Sequence, residues 1–456
     1  MKPLVFTPHE YQQIAIDFML ATPRCALLAG MGLGKTVAGL TLAELLMLTG
    51  TTDPTLVIGP LRVARDTWPG ELAKWEHLRH MHMAPIIGAP AARRAALHQV
   101  ADIFTVNYEN LPWLVETLDG RPWPFRTVIA DESTRLKGFR LNQGGVRTKA
   151  LSKVVLDTER WVNLTGTPAA NGLKDLWGQY WFLDRGQRLG RTYTAFMERW
   201  FYTGFDGVVK PHKFASEQIY SAIEDITLAI RPEDWFDLDK PIENTLRVTL
   251  PPKVRAQYKQ LEKEMFTTLA CGTEIEVFNA AALTNKCRQF ANGAAYTEHP
   301  NWTPIHDAKL DALESVVEEA GGAAMLVAYE FQSDKARILS RFGKIAVDIS
   351  KPEGEARFKA GDVQLGVAHP KSMGHGIDGL QHICNRAVYF GMGWDLELHQ
   401  QILERIGPMR QMQGHYDRDV WVTYIVADDT LDDTLMERHA SKRAVQDLLL
   451  EAMSKK

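Results

Sequence analysis

Short runs of apolar residues recur along the chain, and each is closed by a polar cluster. In the first third these are Cys25-Ala26-Leu27-Leu28, Thr55-Leu56-Val57-Ile58-Gly59-Pro60, Ala101-Asp102-Ile103-Phe104-Thr105-Val106, Thr127-Val128-Ile129-Ala130 and Trp161-Val162-Asn163-Leu164. Helical stretches lie between them, such as Val37 to Leu46 after the first run and the amphipathic segment Ile14 to Leu20 before it. Unbroken apolar runs suit strands buried on both faces. Their alternation with helices predicts a doubly wound, mostly parallel α/β sheet. Ligands bind such sheets at the carboxyl ends of the strands, which is where the polar clusters fall.

The pattern restarts later in the chain. Strands are expected at Ala324–Tyr329, Lys344–Ile349, Val363–Val367, Arg386–Phe390 and Val420–Val426, which makes a second parallel sheet. Between the two sheets, residues 171–235 are rich in aromatics (Trp177, Tyr180, Trp181, Phe182, Tyr193, Phe196, Trp200, Phe201, Tyr202) at spacings that favour core packing over base stacking. Prolines at 232, 241, 251 and 252 mark a boundary. The expected organisation is a first lobe over 1–235 that includes a helical protrusion at about 171–235. A linker and helical connection follow over 236–300, then a second lobe over 301–440 and a helical tail over 441–456.

Chemistry enters at Ala29-Gly30-Met31-Gly32-Leu33-Gly34-Lys35-Thr36, a glycine-rich turn between the first strand and a helix. These are the parts of a P-loop. Gly30, Gly32 and Gly34 let backbone N–H groups approach phosphate oxygens, and the helix N-terminus favours the anion. Lys35 would reach the β- and γ-phosphates of ATP, and Thr36 would place its hydroxyl on Mg²⁺. Ala29 stands where the usual pattern has its first glycine. Asp131-Glu132 closes another buried strand in the manner of a Walker B pair: Asp131 for the metal, Glu132 to orient or deprotonate water. Gln12, about twenty residues before the P-loop, has an amide able to read an adenine edge. The second sheet has no P-loop of its own.

Composition narrows the setting only slightly. The 456 residues exceed one ordinary core, and no segment is long and apolar enough to span a bilayer. The N-terminus lacks a signal-peptide apolar region. Cys25, Cys271, Cys287 and Cys384 are too scattered for a zinc knuckle or a disulfide framework, so an intracellular, cytoplasmic location is expected. A formal charge of −4 means that any polyanion must meet a local basic groove. His369, His375 and His382 lack the i, i+4 spacing of a helical metal pair.

The P-loop, Asp131-Glu132 and Thr165-Gly166-Thr167-Pro168 resemble motifs I, II and III of superfamily 2 helicases, and the chain is similar to the Snf2 family of DNA translocases. Leu61–Trp75, with Trp68, Glu71, Lys74 and Trp75, resembles that family's motif Ia, and Asn107-Tyr108-Glu109 falls where the family has a Ser/Thr-Tyr-Glu. In the second half, Glu330-Phe331-Gln332 resembles motif IV. His369-Pro370-Lys371-Ser372-Met373-Gly374-His375-Gly376-Ile377-Asp378-Gly379-Leu380-Gln381 resembles motif V, and Gln400-Gln401-Ile402-Leu403-Glu404-Arg405 onward to Gln411 resembles motif VI. The likeness covers about residues 7 to 445 and the chain is of phage and bacterial size.

What the resemblance implies is two tandem RecA-like lobes with a helical insertion between motif III and lobe two, and ATP with Mg²⁺ in the cleft. Arg405 or Arg410 would supply the arginine finger; the family's second arginine would fall at Pro408, leaving Arg410 as the local substitute. Asp378 would sense the nucleotide, Thr165, Gly166, Thr167 and Gln401 would couple closure to the track, and Arg62, Asn107, Lys371 and Ser372 would contact polynucleotide phosphates. Double-stranded DNA is the expected partner, with single-stranded DNA or RNA also admitted. Three functions fit: a duplex-DNA translocase, a strand-separating helicase, and an ATP-gated clamp that does not move.

Overall fold

A computed structural model describes residues 3–30, 32–141, 145–205, 207–271, 274–296, 301–373 and 377–454, with side chains over 265–281 not described. Met31 of the P-loop, Gly374, His375 and Gly376 of the motif V-like stretch, and the Cys271 side chain therefore lie outside the described residues. The chain divides into two compact units, Met1–Asp237 with Lys442–Lys456, and Leu238–Ser441.

In the first unit the strands are β1 (Arg24–Ala29), β2 (Thr55–Gly59), β3 (Met83–Ile86), β4 (Ile103–Asn107), β5 (Thr127–Asp131), β6 (Arg160–Thr165), the hairpin β7 (Phe201–Thr203) and β8 (Val209–Pro211), and β9 (Thr227–Ile230). Apart from the hairpin they form one sheet in the order β3-β4-β2-β5-β6-β1-β9, and every pairing in it is parallel. The five strands expected from the apolar runs sit at its centre, with all of β2, β4 and β5 buried. Helices α1 (Glu10–Ala21), α2 (Lys35–Leu48) and α3 (Trp68–Lys74) follow one another along the chain. A five-residue π-helical turn, Val63–Thr67, leads into α3.

Two edge strands were not legible. β3 is four residues with only its second and fourth buried. β9 ends the stretch expected to be a helical protrusion: that stretch is helical over 174–184, 193–200 and 215–223, but Thr227–Ile230 then returns to pair with β1. Its aromatics are core residues, as their spacing indicated. Trp177, Tyr180, Trp181, Phe182, Phe196, Trp200 and Phe201 are buried together with Phe139, while Tyr202 is exposed.

The second unit contains β10 (Ile242–Val248), a small pair β11 (Ala294–Tyr296) and β12 (Trp302–Pro304), then β13 (Met325–Ala328), β14 (Ala346–Asp348), β15 (Leu365–Ala368), β16 (Arg386–Tyr389) and β17 (Trp421–Ala427). Its main sheet runs β10-β17-β16-β13-β15-β14, again parallel throughout. Successive residues of β13 enter opposite cores: Met325 and Val327 pack with Tyr258 and Leu313, Leu326 and Ala328 with Phe358 and Ile377. That alternation requires helices on both faces. β10 corrects the reading of 236–300 as linker, because Ile242–Val248 is paired along its full length with β17. Its polar, half-exposed residues carry no strand signal of their own. Both units thus have the expected fold class, parallel sheets flanked by helices. The C-terminal helix, Leu431–Ser454, gives Leu431 and Leu435 to the cores of the second unit and Leu449 and Met453 to that of the first.

Candidate functional site

Register places the chemistry of the first unit on one edge. Leu28 of β1 lies opposite Thr165 of β6, and Asp131 of β5 lies opposite Leu164. The P-loop, the acidic pair and the Thr-Gly-Thr turn therefore emerge from three adjacent strand ends. The first and last of these touch: a Cβ added at Gly166 would stand 3.2 Å from the carbonyl oxygen of Ala29.

The loop itself is shaped by its glycines. Gly32 and Gly34 have φ of 85° and 79°, in the left-handed region where side chains are strained. Gly34 caps α2, and a Cβ there would meet the amide nitrogen of Gln12 at 2.3 Å. Gln12 is buried on α1; its Nε2 donates to the carbonyl of Leu33 (3.3 Å) and its Oε1 accepts from the His9 N–H (3.0 Å). The amide expected at an adenine edge is thus seated directly on the P-loop backbone. Gly30 lies against Pro232. Lys35 donates to the carbonyls of Ala29 (2.6 Å) and Gly30 (3.1 Å), and Thr36 follows it, half-buried, in the first turn of α2.

Asp131 is 6% exposed. Its Oδ2 accepts from the indole N–H of Trp68 at 2.9 Å and its Oδ1 from the N–H of Glu132 at 3.0 Å. Burial pushes its carboxyl above the ordinary range, against the pull of the Trp68 donor, Lys35 and the Glu132 amide. Glu132 has φ of 53°, a left-handed conformation that costs a non-glycine residue of order 1–3 kcal/mol and recurs at functional sites. The Tyr108 hydroxyl donates to the backbone carbonyls of Asp131 (2.9 Å) and Glu132 (3.3 Å), fixing that turn.

Thr165 and Thr167 are buried, and the Thr165 hydroxyl accepts from the Thr167 N–H at 3.1 Å. Gln179, also buried, ties this turn to the acidic one. It accepts from the Ser133 hydroxyl (3.1 Å) and donates to the Pro168 carbonyl (2.7 Å). Trp68 and Tyr108 lie in motif-like stretches whose sequence assigns them no role at the acidic pair, and Gln179 carries no sequence signal at all. Only the fold pairs positions 68, 108 and 179 with positions 131 to 168.

Of the residues expected to face a polynucleotide, Arg62 is half-buried just before the π-helical turn. Asn107 is 5% exposed, donating to Glu109 (2.9 Å) and accepting from Asn110 (2.6 Å). In the second unit Lys371 is exposed on a short turn of helix, Pro370–Met373, and the Ser372 hydroxyl donates to the His369 carbonyl (2.7 Å).

Arg405 lies in the last turn of the helix Leu396–Ile406 and is buried; Gln401 on the same helix is buried as well. Gly407 is extended and Pro408 begins a new helix, Pro408–Gln413, which carries Arg410. The proline that displaces the expected second arginine is thus the first residue of a separate helix. Arg410 lies with its Nη1 3.6 Å from Asp378 Oδ1. Packing around Asp378 raises its carboxyl, but Arg410, the Gly379 amide, Arg405 and Lys359 outweigh this and hold it below the ordinary range.

The first unit fits a Mg²⁺-bound nucleoside triphosphate. The turn at Gly34 has no room for a Cβ, a lysine and a helix N-terminus converge on it, and the hard oxygens of Thr36 and Asp131 suit Mg²⁺, which keeps several waters and takes one or two carboxylates.

Residues 11–290 match the family model described as SNF2-related domain. The chain is 52% identical over 464 residues to protein p41 of Acyrthosiphon pisum secondary endosymbiont phage 1, covering 99% of each. It is 27% identical over 288 residues to nuclear protein STH1/NPS1 of Saccharomyces cerevisiae, covering 59% of this chain and 20% of that one. To human chromodomain-helicase-DNA-binding protein 7 it is 26% identical, covering 58% and 9%. Its relation to those two large proteins is confined to a fraction of their length. The solved SWI2/SNF2 ATPase core of Sulfolobus solfataricus in complex with dsDNA aligns with a TM-score of 0.46 at 22% identity, covering 100% of this chain and 96% of that one.

Proposed function

The chain belongs to the family of SNF2-related domains, and from that premise we propose that it is a DNA-stimulated ATPase that translocates along duplex DNA, hydrolysing ATP to ADP and phosphate. The observation that carries this reading is the convergence of a glycine-shaped P-loop, Lys35 and the buried Asp131 at adjacent carboxyl ends of one parallel sheet.

Phosphoryl transfer needs positioning and charge neutralisation more than covalent help. The N–H groups at the start of α2 and the Lys35 ammonium bind the β- and γ-phosphates, and Gln12 holds the loop that presents them. Thr36 and Asp131 would hold Mg²⁺, which would supply positive charge to offset that of the phosphates. Glu132 aligns the attacking water and accepts its proton. Arg405 or Arg410 supplies the positive charge for the transferring group, with Asp378 orienting Arg410. Thr165, Gly166, Thr167 and Gln401 relay nucleotide state to the polynucleotide contacts Arg62, Asn107, Lys371 and Ser372. For Asn107 this requires exchanging its bonds to Glu109 and Asn110. Phosphate contacts carry no sequence information and weaken with salt.

The test is the ATPase rate with no polynucleotide, single-stranded DNA, duplex DNA and RNA, repeated with Glu132→Gln. Stimulation by duplex DNA that the substitution abolishes is expected; equal rates without any polynucleotide would overturn the motor. Displacement of a triplex-forming strand without separation of a duplex distinguishes translocation from helicase action.

A further inference from the structure

We propose that Trp68 is a positioning residue for the magnesium–ATP site, holding the Asp131 carboxylate through its indole N–H and anchoring it to the P-loop helix through its ring. The proposal rests on the ATPase reading above.

Trp68 is the first residue of α3 and is fully buried. A tryptophan in that position would ordinarily be read as core. Its polar atom shows otherwise: the N–H lies 2.9 Å from Oδ2 of a carboxylate 63 residues away in sequence. An indole can only donate, so the contact fixes one carboxylate oxygen while adding no charge. The second oxygen takes the Glu132 N–H. Both oxygens are held by neutral donors.

The other end of the ring explains a glycine inside a helix, where glycine weakens the helix by about 1 kcal/mol relative to alanine. A Cβ on Gly39 of α2 would stand 2.9 Å from the Trp68 Cη2 atom. One side chain therefore touches the helix that begins at Lys35 and Thr36 and also bonds the carboxylate expected on the same metal. The chain reaches this position through the π-helical turn Val63–Thr67, closed by the Trp68 N–H to the Val63 carbonyl. Such turns are rare and cluster at functional sites. Arg62 immediately precedes that turn, so a polynucleotide contact there lies six positions from the residue that holds the metal carboxylate.

Partners that orient a metal ligand typically change metal affinity about 10–100-fold when removed. The experiment uses the full chain with Trp68→Phe, which keeps an aromatic ring and loses the donor. Binding of a fluorescent ATP analogue is titrated with Mg²⁺, and Mn²⁺ binding in its presence is followed by electron paramagnetic resonance. The expected result is about a tenfold higher metal requirement, unchanged nucleotide binding in EDTA, and a lowered kcat. In the Asp131→Asn background the same substitution should add little, because the two act as one unit. An unchanged metal requirement in Trp68→Phe, or equal effects with and without Asp131, would overturn the proposal. If Asp131→Asn itself leaves the metal requirement unchanged, the magnesium–ATP reading falls instead. Should Trp68→Phe fold poorly, 5-fluorotryptophan labelling of the wild type decides: the Trp68 resonance must move when Mg²⁺ is added to the nucleotide complex, and a stationary resonance counts against the proposal.

Discussion

At the carboxyl edge of the first sheet, Asp131 is buried beside an indole and a backbone amide, with the Lys35 charge acting on it from the P-loop. Near the end of β13 in the second unit, carboxylates are closed by cations and amides. Lys309 meets Asp432 at 2.6 Å with both side chains buried, and Arg288 meets Glu330 at 2.8 Å. Asn292 links the set, donating to Asp334 and accepting from Lys309. Asp432 and Glu330 are thus held differently from Asp131, whereas Asp334, bonded by Asn292 and the Glu330 and Phe331 amides, is held by neutral donors as Asp131 is. Neutral donors leave a carboxylate able to meet an incoming cation, whereas ion pairs complete it and give the surrounding loops a fixed arrangement. The first suits binding and the second suits a fixed local framework.

The strongest way to break this contrast is through Arg405 and Arg410. Arg410→Ala should lower DNA-stimulated turnover by about 10³-fold or more if it is the finger, with a melting temperature close to wild type, since its side chain contacts only Asp378 and Gln413 among the contacts described. Arg405→Ala should lower both, because Arg405 is buried. Single-turnover ATPase measurements beside thermal melts separate the two.

Next comes the ionic closure itself. Asp432→Asn leaves the Lys309 ammonium buried without its counter-charge and should destabilise the second unit by about 3–5 kcal/mol. Denaturant unfolding followed by hydrogen exchange should place the loss in residues 238–441. A loss spread over both units would count against the contrast.

A smaller effect concerns pH. Burial, opposed by the Phe331 amide, Asn292 and Lys309, raises the Asp334 carboxyl to about 6, against about 3.9 in an unfolded chain. The folded state therefore takes up this proton first on acidification. Its stabilising contribution is full below about pH 4 and is lost as pH rises through about 6. At 1.36 kcal/mol per pH unit that is about 3 kcal/mol. Asp334→Asn should flatten the pH dependence of melting between pH 4 and 6, measured against wild type across that range.

Smallest is Gly34→Ala. The left-handed φ of 79° costs a Cβ roughly 1–2 kcal/mol, and the methyl must also displace the Gln12 amide. Nucleotide affinity should fall more than stability, and calorimetric titration with ATP checks the order.

Much of this molecule was legible from its residues taken in order. The apolar runs at 25–28, 55–60, 101–106, 127–130 and 161–164 became central strands because a parallel sheet covered on both faces admits little else there. The P-loop was readable because its chemistry is local: glycine torsions, a helix start and a lysine lie within eight positions. Other features depended on distant partners. β9 and β10 are edge strands whose pairing with β1 and β17 supplies what their composition lacks. The bond from Trp68 to Asp131, the bridge of Gln179 from Ser133 to Pro168 and the ion pair of Lys309 with Asp432 join residues 35 to 123 positions apart. Torsional preference and hydrophobic period act over a few residues and can be read along a chain. Hydrogen-bond partnership and burial exist only once the backbone has brought remote segments within about 3 Å, so the tertiary structure alone decided how the acidic pair is held.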